Sequence, residues 1–207
     1  MPAQGGCQIQ LLLTEERPGR WTLAIHARPD TTDAWTRHAT GVVTRRTTAV
    51  ADADAFADLG SVWPPARAKA VDTSGMYGLE AGSDAGSEAG SEAGSDVFYG
   101  PVFQGLTKAW RQGDRVWAEV TLPESRPSES GSFGIHPALL DSVLHAAMLT
   151  GSDATEPARL PFTFTDVVLW ASGATRVRVC LTRTGEDDVS VVVADDTGSR
   201  CCRSGPC

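Results

Sequence analysis

The chain has 207 residues, 41% of them hydrophobic and 21% charged, with a formal net charge of -8. That length holds one good core or two small halves, and the negative charge argues against nucleic acid and anionic membrane as partners. Ile9 to Leu13, the longest apolar run near the start, is broken by Gln10 and has no basic residue before it, so neither a signal nor a membrane span is expected. Five cysteines, three of them in the last seven residues, fit a cytoplasmic protein with free thiols rather than a disulfide framework. Cys201, Cys202 and Cys207 lack the two-residue gaps and the neighbouring histidine of a zinc knuckle, so no metal is expected.

Gln8 to Leu13 and Trp21 to Ala27 are apolar stretches parted by a Pro-Gly turn, and Thr36 to Thr44 is rich in β-branched residues. Together they predict an antiparallel meander of three strands. His26 and His38 fall inside those strands and read as structural residues. Ala49 to Ala70 reads as a connecting segment, because Trp63-Pro64-Pro65 excludes a central strand or a helix interior at that point. From Glu80 to Asp96 the pattern acid-Ala-Gly-Ser occurs four times with no side chain able to build a core, which predicts a disordered acidic loop. Val116 to Leu122, Leu160 to Leu169, Arg176 to Leu181 and Val189 to Ala194 read as strands, with a turn at Gly185 to Asp188. The closing residues, Cys201 to Cys207, match no element and read as a frayed tail.

Between these strands lies one long helical pattern, Phe133 to Gly151. Pro137 suits the first helical position, His136 the cap before it, and Gly151 the left-handed end. Leu140, Val143, Leu144 and Ala147 form an apolar stripe that Leu139, Ala146, Met148 and Leu149 widen, so the helix should be buried. Asp141 and His145 stand one turn apart on one face. Two accounts are open: a narrow solvated face of Asp141, Ser142 and His145, or a carboxyl held in an apolar pocket with its pKa raised by desolvation. A buried helix embraced by an antiparallel sheet is the hot-dog arrangement, an α+β architecture.

Three motifs, Tyr99-Gly100-Pro101-Val102-Phe103-Gln104-Gly105-Leu106, His136 to His145 and Leu160-Pro161-Phe162, make the chain similar to the dehydratase domain of modular type I polyketide synthases. Trp35 to Gly41 and Trp63-Pro64-Pro65 agree with that resemblance. It implies a partial double hot-dog fold: residues 1–48 a remnant of the first half, 49–79 a linker, 80–96 the repeat, 97–198 the second half and 199–207 an irregular tail. It also implies removal of water from a β-hydroxyacyl thioester carried on the phosphopantetheine arm of an acyl carrier protein, with no cofactor of the domain's own. The implied partners are that carrier protein and neighbouring synthase domains, with a homodimer formed through the parent synthase. By the same resemblance Asp141 is the acid that protonates the departing hydroxyl. His145 orients it, and Tyr99 hydrogen-bonds near its carboxyl. Gly100, Pro101, Phe103, Leu160, Pro161 and Phe162 become candidates for lining the substrate tunnel.

The resemblance also has a gap. The family's base is a histidine in a His-x-x-x-Gly-x-x-x-x-Pro motif, and four residues after His26, His38, His136 and His145 stand Asp30, Val42, Leu140 and Leu149. The expectation is therefore a domain truncated on its N-terminal side, either an inactive piece of a dehydratase or a non-catalytic hot-dog module that docks carrier protein. A hot-dog thioesterase fits the motifs less well. The repeat carries its own test: replacing Glu80 to Asp96 by a short Gly-Ser join should leave the melting temperature within a few degrees, because an unpacked segment contributes little to stability. A loss of about 10 °C or more would make the segment structural.

Overall fold

The computed structural model describes residues 6–29, 34–45, 53–60, 62–77, 99–123, 127–150, 161–170 and 173–205. The acidic repeat and Leu160 lie outside them. The chain divides into two compact units, Met1–Ala51 and Asp52–Cys207.

The first unit is the expected meander: β1 (Cys7–Arg17), β2 (Arg20–Pro29) and β3 (Thr36–Thr44), in that order and antiparallel throughout. Strand alternation puts Ile9, Leu11 and Leu13 on one face, opposite Ala27, Ile25 and Leu23 of β2. At the β1–β2 turn Arg20 Nε lies 2.9 Å from Glu16 Oε2, and the Thr22 hydroxyl donates to the same carboxylate. His26 and His38 lie in β2 and β3, as read from the sequence.

The second unit is built on a seven-stranded antiparallel sheet in the order β4-β5-β6-β8-β9-β10-β7. Its strands are β4 (Lys69–Val71), β5 (Leu106–Gln112), β6 (Arg115–Thr121), β7 (Val168–Leu169), β8 (Arg176–Arg183), β9 (Val189–Asp195) and β10 (Arg200–Ser204). β5 escapes the sequence reading because its pattern, Leu-Thr-Lys-Ala-Trp-Arg-Gln, has little alternation. Gly113 at φ +57 forms the tight turn that pairs β5 with β6, with Gln112 opposite Arg115.

The central strands sort their side chains by parity. Val116, Ala118 and Val120 of β6, Val177, Val179 and Leu181 of β8, and Val191 and Val193 of β9 share one cluster with Ala138, Leu139, Val143 and Ala146 of α2 (Pro137–His145) and the turn after it. Trp117, Cys180, Val192 and Ala194 point the other way, onto Phe56 and Leu59 of α1 (Ala53–Gly60). The sheet thus has a helix on each face. The inner layer is the hot-dog arrangement.

Four expectations are corrected, the first being the strand read over Leu160 to Leu169, of which only Val168–Leu169 is a strand among the described residues. The segment 49–79 is more than a linker, since α1 seals the outer face of the sheet and β4 extends its edge. Phe56 and Leu59, three apart, suffice to seat a short helix that ends before Trp63-Pro64-Pro65. The 199–207 tail contains β10, paired with β9 and β7, and Cys201 and Cys202 are both buried. A register shift between Arg200 and Cys202 lets these adjacent residues join the same inner cluster. Finally, α2 ends at His145 and continues as a 3-10 turn, Ala146–Thr150, where one helix to Gly151 is expected.

Burial pushes the Cys202 thiol up to about 12 and the Cys201 thiol to about 11, so both behave as small apolar side chains rather than nucleophiles. Cys202→Asp should therefore cost at least about 2 kcal/mol, read as a lower urea midpoint. An unchanged midpoint would make the segment a frayed end after all.

Candidate functional site

α2 begins as its sequence dictates. Pro137 occupies the first turn, and His136 Nδ1 accepts the Ala138 amide at 3.2 Å. The helix is fastened at its middle by Ser142, fully buried, whose hydroxyl accepts the Gly105 amide at 3.1 Å. That hydroxyl lies 2.8 Å from the Phe103 carbonyl and 2.9 Å from the Ala138 carbonyl, the two oxygens to which it can donate. A Cβ at Gly105 would stand 2.8 Å from both Ser142 Oγ and the Thr121 carbonyl, which explains a glycine at the end of the Phe-Gln-Gly motif.

Along the same helix, His145 Nε2 lies 3.1 Å from Asp141 Oδ2. This is an ion-pair distance without the in-line geometry of a hydrogen bond. The His145 side chain is 3% exposed and the Asp141 side chain 45%. Both open accounts of this face are thereby corrected. Ser142 and His145 are buried, so there is no solvated stripe, while the carboxyl expected to be buried stands half in solvent, backed by the imidazole. The physical reason is reach: the short Asp141 side chain stays at the helix surface, and the His145 ring packs inward under it.

The ring is enclosed by two tyrosines. Tyr99 lies across it with centroids 4.0 Å apart and a 56° tilt. Tyr77 meets the ring edge-on at 5.5 Å, packs against Tyr99 at 5.9 Å, and has its hydroxyl 3.1 Å from His145 Nδ1. The Tyr77 hydroxyl also accepts the Leu106 amide at 3.0 Å. Among the described residues Tyr99 meets the site through its ring, where a hydrogen bond from its hydroxyl is expected. Its backbone carbonyl is held by Gln104 Nε2 at 2.8 Å. Tyr77 is absent from the sequence reading because it follows β4 in a segment taken as a linker and belongs to none of the three motifs.

Desolvation pushes the Tyr77 phenol up to about 12 and raises Tyr99, with the Asp141 charge adding to both. Burial lowers the His145 pKa, and the neighbouring Asp141 carboxylate opposes that shift in part.

Of the tunnel candidates, Gly100, Pro101 and Phe103 form the 3-10 turn that follows Tyr99, closed by the Phe103 amide on the Gly100 carbonyl at 2.8 Å. Phe162 is 98% exposed and Pro161 is exposed, so neither lines an enclosed passage here. Among the described residues no group of three or more His, Cys, Asp and Glu side chains could hold a metal ion, and no helix is long and apolar enough to cross a membrane.

Fold and site together define a hot-dog protein with an Asp–His pair on its central helix. The family model described as polyketide synthase dehydratase N-terminal domain matches residues 87–204. Polyketide synthase GfsA of Streptomyces halstedii is 40% identical over 208 residues, covering 96% of this chain and 2% of that protein. Pikromycin polyketide synthase component PikAII of Streptomyces venezuelae is 37% identical over 206 residues, again 96% of this chain and 5% of that protein. A solved structure concerned with dehydratase substrate selection for the borrelidin and fluvirucin polyketide synthases has a TM-score of 0.75 at 37% identity, covering 97% of this chain and 65% of its own. The bifunctional dehydratase-cyclase domain of ambruticin biosynthesis has a TM-score of 0.76 at 33% identity, covering 100% of this chain and 69% of its own. The chain belongs to the polyketide synthase dehydratase family, and it spans only a small fraction of the synthases it matches.

A ring that is neutral when buried makes stability depend on pH. Its folded pKa lies below the unfolded value of about 6.5, so the unfolded chain binds more protons between the two values. The stability carried by neutral His145 is present above about pH 6.5 and is lost as pH falls through the folded value. His145→Gln should flatten this part of the profile, measured as the change in urea midpoint between about pH 7.5 and pH 5 in each protein. Equal slopes would place the titrating group elsewhere.

Proposed function

We propose that this chain supplies the acid half of a dehydratase site acting on a β-hydroxyacyl thioester carried on the phosphopantetheine of an acyl carrier protein. The observation that carries this reading is a half-exposed Asp141 carboxyl whose inner oxygen faces a buried imidazole. Hydroxide is a poor leaving group and must be protonated as it departs. With Oδ2 turned toward His145, Oδ1 is the oxygen left to hold a proton toward substrate. As the C–O bond breaks, that proton leaves with the hydroxyl as water. The α-C–H electron pair becomes the new Cα=Cβ bond, and a base receives the α-proton. No histidine in these 207 residues has the glycine spacing of the family's base, so the base comes from another segment.

The family and the relatives' names support the substrate class. In this reading the partners are the carrier protein and neighbouring synthase domains, in the cytoplasm, with homodimerisation through the parent synthase. The three-stranded unit then corresponds to part of the first hot-dog half and residues 97–198 to most of the second. Phosphopantetheine enters as the substrate's carrier, and Gly100, Pro101 and Phe103 flank its approach. The absent base motif also favours a second reading, a non-catalytic module that docks carrier protein.

One experiment separates the two. The 207-residue chain alone should give no enoyl product by mass spectrometry. Fused behind a segment bearing His-x-x-x-Gly-x-x-x-x-Pro, it should turn over, and Asp141→Asn should then lower the rate by about 10²-fold or more. A folded fusion that binds carrier protein without turnover would favour the docking module. Efficient turnover by the unfused chain would locate the base within these residues.

A further inference from the structure

We propose that Tyr77 is a positioning residue that holds His145 in the tautomer with its proton on Nε2, facing Asp141, by donating its hydroxyl hydrogen to Nδ1. The role rests on the reading of Asp141 as the acid, but the geometry stands independently of it.

The assignment follows from counting hydrogens. A backbone amide can only donate, so at the 3.0 Å contact with Leu106 the Tyr77 oxygen is the acceptor. Its one hydrogen is left for His145 Nδ1, 3.1 Å away. An imidazole nitrogen that accepts carries no proton, so in the neutral ring the proton sits on Nε2, the nitrogen 3.1 Å from Asp141 Oδ2. The phenol is suited to this task. Pushed up to about 12 by desolvation, it stays protonated, and so able to donate, at neutral pH. Tyr99, packed at a tilt across the same ring, restrains its orientation. Among the described residues, the charged and titratable groups facing His145 are Asp141 from its own helix, Tyr77 from the segment after β4 and Tyr99 from the segment before the 3-10 turn.

The arrangement ties the acid to the sheet. The Leu106 amide at the start of β5 orients Tyr77, Tyr77 orients His145, and the Nε2 side of the ring is turned toward Asp141 Oδ2 at 3.1 Å. A donor to Nδ1 also stabilises the neutral ring over the charged one, adding to the effect of burial.

Nitrogen-15 NMR of the folded 207-residue chain tests this without any enzymatic readout. At about pH 7.5, where the neutral ring dominates, His145 Nδ1 should resonate as an unprotonated, hydrogen-bonded nitrogen and Nε2 as a protonated one. In Tyr77→Phe, which keeps the ring packing and removes the hydroxyl, the His145 titration should move to higher pH and the Leu106 amide should lose hydrogen-exchange protection. Tyr99→Phe should leave both unchanged. A protonated Nδ1 in the unsubstituted chain would overturn the proposal, and so would a His145 titration insensitive to Tyr77→Phe. The wild-type measurement decides the matter even if the variant does not fold. None of these signals depends on dehydration, so failure of the Asp141 reading would leave them intact, and their failure would leave that reading standing.

Discussion

A buried imidazole must find partners for both ring nitrogens or bear the cost of leaving them unmet. His145 meets this demand at Nδ1 through the Tyr77 hydroxyl, while Nε2 has the Asp141 carboxylate 3.1 Å away at ion-pair distance and Tyr99 lies across the ring. Each of these is in turn placed by something else. The Leu106 amide holds Tyr77, Gln104 holds the Tyr99 backbone, and Ser142 ties α2 to the Phe103–Gly105 stretch. The site is therefore a set of hydrogen bonds that can close only when β5, the 3-10 turn and α2 are all in place. It belongs to the fold as a whole.

That closure depends on a rigid support. The strict parity of β6, β8 and β9 buries valine, leucine and alanine on the α2 side and Trp117, Cys180 and Val192 on the α1 side. With both faces covered, the sheet cannot slip by one residue without exchanging its two apolar layers. α2 is consequently held at fixed depth, which keeps His145 inside and lets Asp141 reach solvent. The aromatic outer layer contributes geometry as well as area, with Phe56 and Trp170 edge-on at 5.4 Å and Trp63 and Trp110 at 5.8 Å.

For chemistry, what matters is how the two ionisable groups divide their environments. The imidazole takes the buried position and the lowered pKa. The carboxyl takes the position that solvent can reach. A half-exposed carboxyl keeps access to solvent, whereas the buried imidazole beside it is held immobile by its neighbours. Tyr99 adds a tilted ring contact to the imidazole, with centroids 4.0 Å apart.

Much of this was legible in the sequence, for local reasons. The Pro137 start of α2, its His136 cap, the three-strand meander and the strands at β6, β8 and β9 follow from residue preferences and period-2 or period-3.6 patterns, which need no knowledge of neighbours. The one-turn spacing of Asp141 and His145 follows from helix geometry in the same way. What the sequence could not decide was which member of that pair is buried, because depth is set by the surface a helix packs against. Nor could it decide that Arg200–Ser204 is a strand, since Arg-Cys-Cys-Arg-Ser has no alternation and acquires its place only by pairing with β9 across a register shift. Tyr77 is the clearest case. Nothing around it marks a functional residue, and its role arises only when the Lys69–Val71 strand pairs with β5 and the following turn brings a hydroxyl to His145. Local pattern determined the elements. Long-range pairing and packing determined the site, because a hydrogen bond between residues 68 positions apart exists only once the intervening chain has folded.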